Sequence, residues 1–202
     1  MTDPTAPGPL VVKPTVLEGR VVRLEPLSLS HHEGLCQVGL DEGLWGFTTS
    51  LVKTPDDLRR YIETALAWQR AGTALPFATV HREAGQVVGS TRFANIDSAN
   101  RRLEIGWTWV ARPWQRTAVN TEAKYLMLRH AFEDLGAIRV EFKTDALNQR
   151  SRVALLRIGA RQEGIFRHHM VLESGRIRDS VYFSIIDDEW PEVKASLEAR
   201  LA

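Results

Sequence analysis

The stretch Glu104–Glu122, EIGWTWVARPWQRTAVNTE, holds residues whose types and order could do chemistry. Leu103, Ile105, Trp107 and Trp109 alternate with Glu104, Gly106, Thr108 and Val110, the two-residue period of a strand. A polar loop follows, and then a helix read as beginning near Asn120 or Thr121. Leu128, Ala131, Phe132 and Leu135 form its apolar face, and Gly136 is placed to cap its end. A strand that runs through a loop into a helix aims unpaired backbone N–H groups at one point, where the helix dipole is also positive. A pyrophosphate suits such a place. Arg112, Arg116 and Lys124 either add positive charge to it or are solvated surface residues. The loop lacks the Walker A spacing and the GxGxxG fingerprint, and the chain has no GxSxG to support a serine-nucleophile hydrolase.

Other reactive residue types are sparse. Cys36 is the only cysteine, which excludes an internal disulfide and a CxxC site and reads best as a small buried hydrophobe. His168 and His169 are consecutive on an expected strand, so they point to opposite faces and are poorly placed to share a metal; no metal is expected. The net charge of +1 and pI near 8.0 argue against a surface made for nucleic acid. The sequence opens MTDPTAPGPL, without a basic start and apolar run, and contains no membrane-length apolar segment. A cytoplasmic protein with no membrane association is the expectation.

The elements that must position these residues form a single domain, expected over 16–202 after a proline-rich mobile tail at 1–15. Arg20–Pro26 reads as the first strand. Thr54, Pro55, Asp56 and Asp57 make a strong helix start, followed by the stripe Leu58, Tyr61, Ile62 and Ala65. Phe77–His81 and Gln86–Phe93 read as a hairpin, and Ile138, Val140 and Phe142 as alternate residues of a further strand. A helix over Gln149–Ile158, two strands near Arg161–Leu172 and Ile177–Ile186, and a last helix from Pro191 complete the order β-α-α-β-β-β-α-β-α-β-β-α. This predicts an α/β protein with a mixed sheet and helices on its faces.

From Glu104 through RIGARQEG and on to GRIRDSVYFSII, the chain resembles the GNAT acetyltransferases, and among them the RimJ/RimL type that acetylates ribosomal-protein N-termini. The carriers are the strand ending in Trp-Val, the Gln-Arg loop, Asn-x-x-Ser before a helix, Gly-Ala after it, and Gly-x-x-Arg-Asp. The resemblance runs from about Leu17 to Trp190. It implies a sheet of about seven strands in which two parallel strands, here Leu103–Val110 and Ile138–Thr144, splay apart to admit acetyl-CoA. It places the pyrophosphate on Gln115, Arg116, Thr117, Ala118, Val119 and Asn120, with Thr121 beside them. The chain departs from the family pattern at Ala118 and Asn120, where small glycine-type residues are usual. If position 118 needed positive φ, alanine would cost about 1–2 kcal/mol there.

By the same resemblance, Asn148 contacts the pantetheine arm, and Ser151 either protonates the departing thiolate or serves the helix start. Leu155 stands where many relatives carry a tyrosine acid. A backbone N–H at Trp109 or Val110 would polarise the thioester carbonyl. For the amine proton, Glu104, read as opposite in face to Trp107 and Trp109, is either the base or a solvated strand residue. Glu141 and Asp179 are lesser candidates. Trp45, in the glycine-rich DEGLWGFTT, is either an acceptor contact or a packed loop anchor, and His168 is the other candidate acceptor contact. The implied activity is acetyl transfer to a primary amine, either a protein N-terminus or a small molecule. A CoA-binding module without catalysis and an enzyme for longer acyl-CoA are the other readings, and a homodimer is allowed. A lysine amine of pKa about 10.4 is neutral roughly once in 2,500 molecules at pH 7, against about one in seven for an α-amine. With no decisive base, an α-amine is the favoured acceptor.

Overall fold

The computed structural model describes residues 8–202. Its single mixed sheet contains β1 (Leu17–Glu18), β2 (Val22–Pro26), β3 (Leu75–His81), β4 (Gln86–Asp97), β5 (Arg102–Val110), β6 (Arg139–Asp145), β7 (Arg161–Val171) and β8 (Ile177–Ile186). The helices are α1 (His32–Gly39), α2 (Pro55–Arg70), α3 (Ala118–Arg129), α4 (Gln149–Arg157) and α5 (Trp190–Leu201). The strand order is β1-β2-β3-β4-β5-β6-β8-β7, and only the β5–β6 pair is parallel. Eight strands appear where about seven were expected, because Leu17 and Glu18 pair with Leu24 and Arg23 as a short edge strand.

The apolar periodicities set the two sides of the sheet. Val119, Ala123, Leu126 and Met127 of α3, together with Val193 and Leu197 of α5, pack on Leu103, Ile105, Val140 and Phe142. On the other side, Leu58, Tyr61, Ile62 and Ala65 of α2 join Leu35 of α1 and Trp45 against Ala78 and Trp109. The start of α2 is the one anticipated: Thr54 accepts from the Asp57 N–H, Asp57 returns a bond to the Thr54 N–H, and Pro55 opens the helix.

Glu122 locks α3 to the start of the sheet. Its carboxylate accepts from the backbone N–H groups of Arg20, Arg20's neighbour Val21, and Val22 at 2.8, 2.7 and 2.6 Å. Gly19 lies against the same carboxylate, where a Cβ would collide with it.

The proline-rich stretch expected as a tail falls partly outside the described residues, at 1–7. Within its described part, Leu10 is buried and its N–H donates to the Ser98 carbonyl, so this part of the expected tail is packed on the domain. Among the described residues, no helix is long and apolar enough to cross a membrane.

Candidate active site

The site begins where β5 and β6 part. Their pairing covers only Arg102, Leu103 and Glu104 against Arg139, Val140 and Glu141. Beyond Glu104 the two strands diverge, leaving the β6-facing backbone edge of β5 without a strand partner. A bulge in β5 sharpens the divergence. Ser90 and Arg92 of β4 face Trp109 and Gly106, so Trp107 and Thr108 together occupy the space of one residue. Trp107 takes the left-handed backbone there, with φ 48°.

Side-chain packing holds this strained residue. The Tyr61 hydroxyl donates to the Trp107 carbonyl at 3.2 Å, and the indole packs edge-on to Trp68. The buried Arg92 guanidinium lies 4.8–5.3 Å from the ring centres of Tyr61, Trp68 and Trp107, within cation–π range.

The bulge overturns the expected alternation. Leu103 and Ile105 face α3, whereas Trp107 and Trp109 belong to the α1–α2 side. Glu104, expected opposite the two tryptophans, instead lines one pocket together with Trp107. Thr108 is left facing α3, where Lys124 Nζ donates to its Oγ1 at 2.7 Å. Thr91 Oγ1 lies 2.7 Å from the same oxygen. Lys124 is therefore neither a surface residue nor a free phosphate ligand: burial brings its pKa down to about 7, partly offset by the Glu104 charge.

A cleft of about 480 Å³ opens from this splay. Trp109, Val110, Gln115, Arg116, Thr117 and Asn120 form one wall, and Asn148 and Ser151 face them from the start of α4. The helix begins earlier than the sequence suggested. Thr117 is the N-cap, accepting from the Val119 N–H at 3.3 Å, so α3 starts at Ala118 rather than near Asn120. A short polar side chain that can cap was available at each position, and the choice lay with the loop.

Ala118 is thus an ordinary helical residue, and the positive φ of the loop falls on Arg116 at 63°. The strain considered for alanine at 118 does not arise. Val119 points into the core, so any part it plays in the loop is through its backbone. Ala118 and Thr121 line an adjoining groove with Arg116, Arg157 and Arg200, whose charges suit phosphate groups.

Gln115 binds the protein itself: its Nε2 donates to the Val110 carbonyl at 2.7 Å, and its Oε1 accepts from Arg150 at 2.7 Å. It ties the end of β5 to α4. Asn148 caps α4, its Oδ1 accepting from the Ser151 N–H at 3.0 Å. Both residues line the cleft, and the Asn148 amide N–H groups and the Ser151 hydroxyl make no hydrogen bond to the described residues. Arg112 turns outward to pair with Asp41.

A second, smaller pocket of about 100 Å³ adjoins the first, and Thr48 and Thr108 line both. Thr49, Glu104, Trp107, Lys143 and Arg178 complete it. Glu104 is 3% exposed, accepts from Asn95 Nδ2 at 2.7 Å, and pairs with Lys143 at 3.3 Å. It is therefore enclosed, not a solvated strand residue.

Of the two candidate acceptor contacts, Trp45 takes its alternative role and His168 lies away from both pockets. Trp45 is buried as a loop anchor, with its indole N–H on the Gly39 carbonyl and its ring against Tyr61 and Trp109; Phe47, two residues on, lines the cleft instead. His168 is exposed at a bulge of β7 with φ 48°, its N–H donating to Asp179, and it lines neither pocket. Its neighbour His169 turns inward to Ser180, 3.0 Å away, where burial and the charges of Lys143 and Arg178 lower its pKa. Glu141 is held by Arg102 and Arg139, Asp179 accepts from the His168 N–H, and neither lines the cleft or the smaller pocket beside it. Thr108, Lys143 and Arg178 were missed; each reads in sequence as an unremarkable alternate residue of a strand. Among the described residues, no group of three His, Cys, Asp or Glu side chains is arranged to hold a metal.

A GNAT acetyltransferase domain profile matches residues 22–161. YdaF of Bacillus subtilis, provisionally named a ribosomal N-acetyltransferase, is 33% identical over 52% of this chain and 57% of its own length. The chain thus spans a little over half of that relative. A GCN5-related N-acetyltransferase of Brucella melitensis superposes with TM-score 0.89 and 34% identity, over 96% of this chain and 89% of that one. Mycobacterium smegmatis RimJ in complex with CoA-disulfide superposes with TM-score 0.76 and 26% identity, over 96% and 93%. The parallel splay, the capped loop and these similarities agree: the chain belongs to the GNAT acetyltransferase family.

Proposed function

We propose that this protein transfers an acetyl group from acetyl-CoA to an amine, with the α-amine of a protein N-terminus as the leading acceptor class. The observation that carries the reading is the unpaired edge of β5 beyond Glu104, which opens beside the Thr117-capped start of α3 and opposite Ser151. The site's residues fit acetyl-CoA. Arg116, Arg157 and Arg200 offer charge to phosphates, the helix end offers N–H groups, and the open β5 edge can pair with an amide-bearing arm. When bound, acetyl-CoA supplies the activated acyl group as a thioester. The name of YdaF, a ribosomal N-acetyltransferase, favours a protein acceptor.

In this reading the acceptor nitrogen forms the new N–C bond while the C–S bond breaks. Holding the two reactants in attack geometry is the largest contribution the cleft makes. A backbone N–H of Trp109 or Val110 stabilises charge on the carbonyl oxygen. The Ser151 hydroxyl returns a proton to the leaving sulfur. Glu104, enclosed beside Thr108, accepts the proton of the amine directly or through water. The test is release of free thiol from acetyl-CoA with matched peptides, one offering only an α-amine and one only a lysine side chain. Preference for the α-amine is expected; a clear lysine preference would reject that acceptor class, and no turnover with either would reject the reading.

A further inference from the structure

Arg178 is a charged side chain with no assigned task. It projects from β8 into the small pocket beside Glu104 and is only 5% exposed. Its Nε is buried without a hydrogen-bond partner, and it forms no ion pair among the described residues. The nearby carboxylates are already engaged. Glu104 holds Lys143 at 3.3 Å and the Asn95 amide at 2.7 Å, and Asp145 holds Arg176. Lys124, His169 and Tyr182 complete the titratable neighbourhood and bring no further carboxylate. The charges of Asp145 and Glu104 act on Arg178, but neither carboxylate forms an ion pair or hydrogen bond with it, so a ligand that completes its Nε would offset part of the cost of burying it.

We propose that this pocket selects the acceptor by its charge: Arg178, supported by Lys143, receives a carboxylate carried close to the reacting amine. The inference rests on the acetyl-transfer reading and names the substrate class of that site. One carboxylate and one unpaired guanidinium line the same small pocket, an arrangement complementary to a group bearing both an ammonium and a carboxylate. Glu104, whose Oε2 holds Asn95 and Lys143, attracts the ammonium with Oε1 and then takes its proton, while Arg178 fixes the acid. Thr108, shared with the large cleft, marks where the amine meets the acyl group. A pocket of about 100 Å³ admits a short acid, such as an acidic side chain at a peptide N-terminus or the α-carboxylate of a free amino acid.

The experiment is calorimetric titration of the full chain, saturated with CoA, with two matched pairs of amines. Asp-Ala-Ala amide against Asn-Ala-Ala amide tests a side-chain acid; alanine against alaninamide tests an α-carboxylate. We expect the acid of at least one pair to bind at least tenfold more tightly than its amide, and the responding pair identifies the source. Arg178→Met should abolish that difference, with a thermal midpoint no lower than wild type because an unpaired buried charge is removed. Equal binding within both pairs, no binding by any of the four, or selectivity retained in Arg178→Met overturns the proposal. The wild-type comparison decides the matter even if the variant does not fold. Acid-selective binding without acetyl transfer would reject the catalytic reading alone, and transfer without acid preference would reject this inference alone.

Discussion

Lys124 Nζ reaches out of α3 to donate to Thr108 Oγ1 at 2.7 Å, at the point where the bulge of β5 turns Thr108 toward that helix. Because burial lowers the lysine pKa to about 7, the folded state loses this proton at a lower pH than the unfolded chain does. Between about pH 7 and pH 10.5 the unfolded state binds more protons, so stability rises with pH by up to about 1.4 kcal/mol per unit from this group. Below pH 7 both states are protonated and this contribution is flat. Lys124→Met should remove the rise, measured by urea unfolding at pH 7, 8 and 9. A pH dependence identical to wild type would contradict the buried placement.

Glu122 predicts the largest purely structural effect. Glu122→Ala leaves three backbone donors at Arg20, Val21 and Val22 without their acceptor. Only the Val22 N–H is buried, and water can reach the other two, so the expected loss is about 1–3 kcal/mol, the cost of one buried unsatisfied donor. Urea unfolding checks this. A loss below about 1 kcal/mol would mean water replaces the carboxylate at little cost.

The sequence made most of the framework legible and some of the site illegible, for identifiable reasons. The stripe on α2, the Thr54 cap and the alternation in β6 are local patterns, and local patterns survive folding. The face of Glu104 was misread because alternation assumes an unbroken strand, and nothing in EIGWTWV announces that Trp107 adopts φ 48°. That bulge depends on Tyr61, Trp68 and Arg92, which are remote in sequence. Lys124 and Arg178 carry no sequence signal of burial. Trp45 looked available because glycines surround it, yet its indole N–H finds the Gly39 carbonyl and its ring finds Trp109.

The loop yields a prediction that reverses the sequence expectation. With Ala118 helical and positive φ at Arg116, a glycine at 118 relieves no strain. Ala118→Gly should lower stability by up to about 1 kcal/mol, through helix propensity. It should not tighten CoA binding. Thermal unfolding and titration of the variant measure the two effects, and markedly tighter binding would mean the loop rearranges on binding.

Ser151 offers a clean substitution. Its backbone N–H makes the bond to Asn148, so Ser151→Ala keeps the α4 cap and removes only the hydroxyl. If that hydroxyl protonates the leaving sulfur, kcat falls by about 10²-fold or more while KM for acetyl-CoA changes little. An unchanged kcat would assign the proton to water.

The central claim is that the cleft between β5 and β6 holds acetyl-CoA, and calorimetric titration tests it most directly. Wild type should bind one equivalent of acetyl-CoA and of desulfo-CoA. Arg116→Glu, which reverses charge in the loop, should weaken both at least tenfold, whereas Arg59→Glu on the exposed side of α2 should leave them unchanged. No binding by wild type, or equal binding by Arg116→Glu, would contradict the account.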